Sequence, residues 1–441
     1  MTTIVTLPRP RPVSRLVHSG RLPAYVVLLV GGVVLEAFSG NSGYLGFPIG
    51  PDRIAMAIGL LLLVLDPVAL PGARLRARPL HLAMAIIVLW AALSAIDAGT
   101  FTDVAGFYGI VDRLGALPFL LFAFAPAIFG TPRRRSVLLA ALVGLGLYLG
   151  ATAVFEGVGA TPLIVPRYIS DSSLGLHYGR ARGPFLEAVA DGLALGMCGI
   201  AAGMGLALWR SRHVRSACWI CLAVCSAGIV FTLTRAVWIG TIVALVTIFA
   251  SVPRLRRWLI PAAVFGAVAT VALLAVVPGL SQRAAGRAGD SRSADDRQNA
   301  NATALHVLVD RPLIGVGWNA FPSRERDYLR QADHYPVTAT GIAVHNVPLS
   351  HAAELGLPAA LLWTGVFAVA VGAPLLRRAP TREGQVWRAG LLATALLFLV
   401  VASLGPLGYA LPNLLLWLFA GVAQPERLAR RPAPGRPSRA S

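Results

Sequence analysis

Apolar stretches of about twenty residues recur along the chain, separated mostly by short polar connections. A helix of that length crosses the roughly 30 Å hydrocarbon layer of a membrane, so each stretch predicts one spanning helix. The pattern predicts an all-α, polytopic integral membrane protein. Its twelve predicted spans lie at about 24–39, 54–71, 80–96, 115–130, 136–155, 187–209, 216–233, 236–252, 258–278, 347–374, 388–404 and 406–422.

The composition indicates the same class of protein. Of the 441 residues, 56% are hydrophobic and only 13% are charged, whereas soluble domains carry about 25% charged residues. The mean hydropathy is +0.68. These values exclude a soluble multidomain protein, a disordered chain and a disulfide scaffold.

The net charge of +19 comes from arginines that cluster on alternate connections. Cytoplasmic loops of membrane proteins carry such an excess, so both termini are predicted to be cytoplasmic. Because this topology in the lipid bilayer accounts for the basic charge, no nucleic acid partner is expected. The clusters lie at 9–21, 74–78, 133–135, 210–215, 254–257, 377–388 and 427–439.

Five regions follow from this topology: a cytoplasmic tail (1–23), nine spans (24–278), a large outer loop (279–346), three spans (347–422) and a disordered cytoplasmic tail (423–441). A second outer connection runs from about 156 to 186. Within the large loop, 294–310 has the periodicity of an amphipathic helix, which we expect to lie over the membrane face. Loops this long are usually functional on a compact scaffold.

Five arginines of the predicted outer face are candidate ligands for phosphate oxygens. A guanidinium at a membrane interface is costly unless it is paired, and its planar fork matches a phosphate group. The alternative for each is a snorkelling side chain or an ion pair with a neighbouring aspartate. The five are Arg180, Arg182, Arg235, Arg297 and Arg311.

A second polar set begins where the large loop re-enters the predicted membrane. His345 is followed by Asn346, Ser350 and Glu354, which recur every four residues and form one polar stripe on an apolar helix. Polar residues inside spans tend to be functional or to join helices. A neutral imidazole at this position can take the proton of an attacking hydroxyl, and the alternative for His345 is a helix cap.

Several familiar motifs are missing from the sequence. It has no Asp-x-Asp pair, no P-loop, no glycine-rich dinucleotide fingerprint and no His/Cys set with metal-ligand spacing. We therefore expect neither a metal ion nor a cofactor. A metal-dependent sugar-nucleotide transferase and an ATP-driven pump are disfavoured.

Three segments, taken in order, resemble the O-antigen ligase superfamily, which includes polysaccharide polymerases. Residues 234–238 are similar to its Ser/Thr-Arg-x-x-Trp segment, and Arg297 with 310–321 is similar to its loop signature. His345 and Asn346, followed by 354–356, are similar to its His-Asn…Glu-x-Gly close. Residues 180–185 extend the resemblance backward, as Arg-x-x-Gly-x-Phe.

This resemblance implies a metal-independent glycosyltransferase of the GT-C type in the bacterial inner membrane, with its site on the outer face. The donor would be a glycan on undecaprenyl diphosphate, and the acceptor a lipid A-core sugar, another glycan or a protein hydroxyl. Carried over to this chain, Arg235 and Arg297 hold the diphosphate and His345 orients or deprotonates the acceptor. The predicted substrate-binding residues are Arg180, Arg182, Arg311, Asn346 and Glu354.

Three other functions stay open from the sequence. A polymerase differs from a ligase only in its acceptor. A transporter would place its ionisable residues near the bilayer midplane, often in two related halves, whereas here they lie at one predicted face. A non-catalytic scaffold of envelope assembly would tolerate loss of His345 and Arg235.

Overall fold

The computed structural model describes residues 22–66, 79–252, 255–289, 292–330, 340–405 and 408–424. These residues form helices joined by loops and contain no strand, in agreement with the all-α class predicted from the apolar pattern. Apart from 22–23 and 423–424, the two predicted cytoplasmic tails lie outside the described residues.

The first helices of the bundle precede the 156–186 connection. A 3₁₀ turn, Glu36–Phe38, continues the first helix, and a π turn, Gly109–Leu114, joins the fourth to the fifth. The helices are α1 (Ala24–Leu35), α2 (Pro51–Leu65), α3 (Pro79–Asp97), α4 (Val104–Tyr108), α5 (Ala116–Ile128) and α6 (Pro132–Val158).

The remaining helices complete the bundle and build the large loop. In the bundle they are α7 (Ala188–Leu208), α8 (Arg212–Phe231), α9 (Arg235–Ser251) and α10 (Leu259–Val276). The loop contains α11 (Leu280–Gly289), α12 (Arg292–Asp310) and α13 (Phe321–Tyr328). The chain then returns to the bundle through α14 (Val347–Leu355), α15 (Leu357–Leu376), α16 (Arg382–Leu404) and α17 (Ala410–Val422).

Eight helical segments of the described chain are long and apolar enough to cross a membrane. Three shorter apolar helices, Ala24–Phe38, Arg235–Ser251 and Ala410–Val422, coincide with further predicted spans. The one remaining predicted span, 54–71, overlaps α2, which has 15 residues, and its positions 67–71 lie outside the described residues. The multi-pass membrane class is confirmed, and the total of twelve spans stays a prediction.

Helix α17 lies at the centre of the bundle. All of its residues from Leu411 to Val422 are buried, and Trp417 meets Phe119 of α5 edge-on with ring centroids 4.7 Å apart. In contrast, none of the residues in the apolar window over Arg256–Val276 is buried inside the protein. An apolar helix without such burial has its surface free to meet lipid.

Alternate connections gather at opposite ends of the bundle. At one end Arg135 pairs with Glu383, and Arg382 donates to the Ala207 carbonyl at 2.8 Å. At the other end Asn41 donates to the Pro184 carbonyl at 2.9 Å. This division matches the two sides that the arginine distribution separates, and which side is cytoplasmic stays a prediction of that distribution.

The large loop has a small core of its own. Buried Ala304 and Val307 of α12 pack with Val316, Phe321 and Val344 of the loop. An amphipathic helix was expected over this stretch. Its buried face packs against other residues of the loop and so forms part of the loop's core. Its position over the membrane face stays a prediction.

Candidate active site

Trp318 holds the large loop against the bundle. Its side chain is fully buried, and its indole N–H donates to the Gly106 carbonyl at 3.0 Å. The Thr100 hydroxyl donates to the Trp318 carbonyl at 2.6 Å, and the Trp318 N–H donates to the Ser94 hydroxyl at 3.1 Å. The loop signature is thereby fixed at the corner between α3 and α4.

Two glycines allow the loop signature to run directly beside the end of α14. Gly315 (φ +65°) and Gly356 (φ +84°) both lie in the left-handed region, which favours glycine. A Cβ on Gly315 would clash with the Ala353 carbonyl oxygen, and one on Gly356 with the backbone of Leu313. Backbone hydrogen bonds join the two segments. One of them runs from the Val316 N–H to the Ala353 carbonyl at 2.9 Å.

Glu354 is buried and pairs with Arg113 of the π turn. Its side chain is 2% exposed, and one carboxylate oxygen accepts from the Arg113 guanidinium. The Asn319 N–H also donates to it, and Arg113 lies 4.2 Å from the centroid of the Trp318 ring. In this structure the contacts of Glu354 are therefore to protein groups, and its predicted substrate role stays untested.

His345 lies in the turn before α14, and Asn346 caps that helix by accepting from the Leu349 N–H at 3.1 Å. The His345 Nδ1 lies 2.8 Å from the Ala343 carbonyl. A carbonyl can only accept, so Nδ1 carries the hydrogen and Nε2 presents a lone pair. Burial, and next the charge of Arg297, lower the pKa of His345 to about 4, which keeps the ring neutral near pH 7.

Arg297 and Arg180 lie near the same tyrosine. Arg297 is on α12, and its charge acts on His345. The charges of Arg297, Arg180 and Glu187 all act on the hydroxyl of Tyr409, in the connection before α17. The structure thus brings together arginines that are 117 positions apart in the sequence.

Arg180 contacts the residues that directly precede Arg235. Its Nε donates to the Thr232 carbonyl at 2.7 Å, and its Nη2 donates to the Thr234 hydroxyl at 2.5 Å. Arg235 follows Thr234 directly as the first residue of α9 and is exposed. Among the described residues it has no hydrogen-bond or ion-pair partner, so its guanidinium is available to a ligand.

Arg182, only two residues from Arg180, shapes the 156–186 connection. It is 1% exposed, and its guanidinium donates to the carbonyls of Leu174 (2.5 Å), Ile169 and Asp171 (both 3.1 Å). These contacts are those of a structural residue. The prediction that it binds substrate is untested.

Arg311 lies apart from the other candidates. It follows the last residue of α12, whereas Arg297 is near the start of that helix. Thirteen helical steps between Arg297 and Asp310 correspond to about 20 Å along the axis. Its side chain is exposed, and one phosphate group cannot contact both arginines.

The charge of Arg297 acts on His345, those of Arg297 and Arg180 act on Tyr409, and Arg180 contacts Thr234 next to Arg235. We call Arg180, Arg235, Arg297 and His345 the arginine–histidine cluster, and its role as a site stays a prediction. Sequence reasoning missed Arg113 and Tyr409. A charged residue within the apolar stretch 104–128 was the available signal for Arg113, and nothing in the sequence singled out Tyr409. Among the described residues, no three His, Cys, Asp or Glu side chains are grouped so as to hold a metal ion.

Residues 220–364 match a family model described as O-antigen ligase. The matched segment runs from α8 through the large loop into α15. It contains Arg235, Arg297 and His345, and Arg180 and Arg113 lie before it. No curated protein matches the chain.

Proposed function

From the match of residues 220–364 to the O-antigen ligase family model, we propose that the chain is a ligase of this superfamily and transfers a glycan from undecaprenyl diphosphate to an acceptor hydroxyl. We place this reaction on the outer face of the bacterial inner membrane. The arginine–histidine cluster would be its active site.

The geometry of His345 carries the proposal. Its Nδ1–H is held by the Ala343 carbonyl, so the lone pair on Nε2 is the proton-accepting site. The charge of Arg297 acts on the same ring, which places a cation that suits a phosphate beside a base that suits a hydroxyl. A glycosyl transfer from a lipid diphosphate requires both groups near the anomeric carbon.

In the proposed reaction, the acceptor oxygen attacks the anomeric carbon while its proton passes to His345 Nε2. The bond between that carbon and the phosphate oxygen breaks, and its electron pair stays on undecaprenyl diphosphate. Negative charge therefore grows on the diphosphate, where fixed guanidinium groups stabilise it. Arg235 and Arg297 fill this role in the proposal.

Arg235→Ala is expected to lower glycan transfer by about 10²–10³-fold, the range for losing one donor to developing negative charge. Arg235→Lys should recover part of the rate, because it keeps the charge but loses the planar fork. Transfer is measured with the purified full-length protein and a polyprenyl-diphosphate-linked glycan. Arg167→Ala is the matched control, because Arg167 is exposed and makes one long contact to the Thr161 carbonyl. Equal rates for the Arg235→Ala protein and this control would contradict the role.

The pH dependence should report the neutral state of His345. Because its pKa is lowered to about 4, a base at this position stays active from pH 8 to pH 5 and loses activity as the pH falls through about 4. Donor binding places negative charge next to Arg297, which raises the pKa of the imidazole. The acid limb of kcat should therefore lie at a higher pH than that of kcat/KM for the donor. An acid limb of kcat/KM near pH 6.5 that disappears in His345→Gln would contradict this assignment.

A ligase and a polymerase are distinguished by what accumulates without the protein. After deletion of its gene, a ligase leaves full-length glycan chains on the lipid carrier, whereas a polymerase leaves single repeat units. We propose the ligase, because the His-Asn element follows a single dominant loop. Single repeat units on the carrier would overturn that choice.

A further inference from the structure

A cavity of about 450 Å³ lies beside the arginine–histidine cluster, at the same end of the bundle. This volume is within the range of small-molecule sites. Its wall is formed by the connections after α1 and α16, helix α4, the π turn, the first residues of α7 and α17 with Phe185, and Asn319 of the large loop. The polar and aromatic side chains of the wall are Glu36, Ser39, Asn41, Tyr108, Asp112, Arg113, Phe185, Asn319 and Tyr409.

Several polar atoms of this wall have unused hydrogen-bonding capacity. Glu36 is 1% exposed; its carboxyl group contacts that of Asp52, and neither of its oxygens accepts from an N–H or hydroxyl donor within the described residues. Arg53 approaches one of them to 3.2 Å without hydrogen-bond geometry. One oxygen of Asp112 and the Nε of Arg113 are likewise buried without a partner among the described residues. Buried groups of this kind are costly unless a ligand or water satisfies them.

The charges of the wall do not suit a phosphate. Arg113 is paired with Glu354, and Arg53 is shared among Glu36, Asp52 and Asp112. The wall itself carries two carboxyl groups, Glu36 and Asp112, and one guanidinium, Arg113, so no guanidinium of the wall is left unpaired for a phosphate. A carboxylate only accepts hydrogen bonds, so the fitting ligand brings hydroxyl donors and no negative charge. A neutral sugar ring meets both conditions.

The cavity lies close to the proposed reaction. Tyr409 forms part of its wall, and the charges of Arg180 and Arg297 act on the hydroxyl of that residue. A ring bound in the cavity is therefore near Arg297, one of the two arginines that would hold the diphosphate.

We propose that this acidic cavity binds a sugar ring of one of the two substrates, with Glu36 and Asp112 accepting hydrogen bonds from its hydroxyl groups. Tyr108 and Tyr409 supply aromatic surface for its apolar face. The inference rests on the proposed function, because it is that reaction that brings a sugar to this end of the bundle.

Two binding measurements on the full-length protein in detergent test the cavity. Saturation-transfer NMR with a panel of methyl glycosides probes the sugar, and titration with farnesyl diphosphate probes the arginine–histidine cluster. Glu36→Gln and Asp112→Asn are expected to weaken glycoside binding about tenfold, which corresponds to about 1.4 kcal/mol. Ala105→Trp fills the cavity from an exposed wall position and tests the same point if the buried variants fail to fold. Asp97→Asn, an exposed carboxylate outside the cavity wall, is the control.

The source of the sugar is decided by a third probe, farnesyl diphosphate carrying one sugar. If the cavity takes the donor sugar, the cavity variants remove the gain in affinity of this probe over farnesyl diphosphate. If it takes the acceptor sugar, they weaken only the methyl glycoside. Cavity variants that bind every sugar probe like the wild type overturn the proposal. Arg235→Ala separates the two hypotheses, because it should weaken farnesyl diphosphate binding and leave glycoside binding intact.

Discussion

His345→Ala is expected to lower glycan transfer by about 10²–10⁴-fold, the usual contribution of a positioned general base. A sugar hydroxyl is a poor nucleophile, and the variant has no group in place of the Nε2 lone pair to take its proton. The affinity for farnesyl diphosphate should stay within about threefold of the wild type, because the imidazole is assigned to the acceptor. The measurements are single-turnover transfer and equilibrium binding of the purified protein.

His306→Ala is the matched control for this experiment. His306 also lies in the large loop, is half-buried and contacts a backbone carbonyl, that of Tyr328 at 3.2 Å. The His306→Ala protein should therefore transfer glycan at close to the wild-type rate. Undiminished transfer by His345→Ala would remove the base from the mechanism and favour a scaffold role for the chain. Equal loss in both variants would mean that the loop, and not the imidazole, is what the substitution disturbs.

Arg113→Met and Glu354→Leu are each expected to destabilise the protein by about 3–5 kcal/mol, because removal of one partner leaves the other as a buried, uncompensated charge. The double variant should be more stable than either single variant, since two apolar side chains of similar size then replace the pair. Unfolding midpoints in detergent, measured for all four proteins of the double-mutant cycle, give the coupling between the two sites.

The pair of Arg330 and Asp310 is the control for this cycle. Its side chains are 56% and 44% exposed and are separated by 3.5 Å, so the same type of substitution should cost no more than about 1 kcal/mol. Additive effects of the Arg113 and Glu354 substitutions would show that the two side chains do not depend on each other.

Much of the fold was predictable from the sequence, because lipid imposes its demands locally. Every backbone polar group inside the hydrocarbon layer must be satisfied within its own helix, so an apolar run of sufficient length identifies the element without knowledge of its neighbours. The eight long apolar helices coincide with predicted spans for this reason. The ends of the helices were not fixed in this way: the predicted span begins at 54, whereas α2 begins at Pro51 and includes the charged residues Asp52 and Arg53.

The site was predictable only in part. Arg235, Arg297 and His345 stood out because charged or basic groups are unusual at the ends of apolar runs. In the structure the charge of Arg297 acts on His345, and Arg235 follows the threonine that Arg180 contacts. The same reasoning also selected Arg182, whose guanidinium binds three loop carbonyls, and Arg311, which lies at the opposite end of α12 from Arg297. A guanidinium that binds three loop carbonyls and one that is available to a ligand look alike in a sequence, because the sequence does not show how a loop folds its carbonyls around a side chain.

The amino-acid sequence alone determined that this is a helical membrane protein with a large polar loop, and which family its second half resembles. Both follow from local patterns of hydropathy and motif order. Only the tertiary structure decided that Glu354 is neutralised by Arg113, 241 positions earlier, and that Glu36 and Asp112 face one cavity beside Tyr409. These contacts depend on how the helices pack and on two glycines that let backbones approach. Packing is a property of the whole bundle, which no single segment specifies.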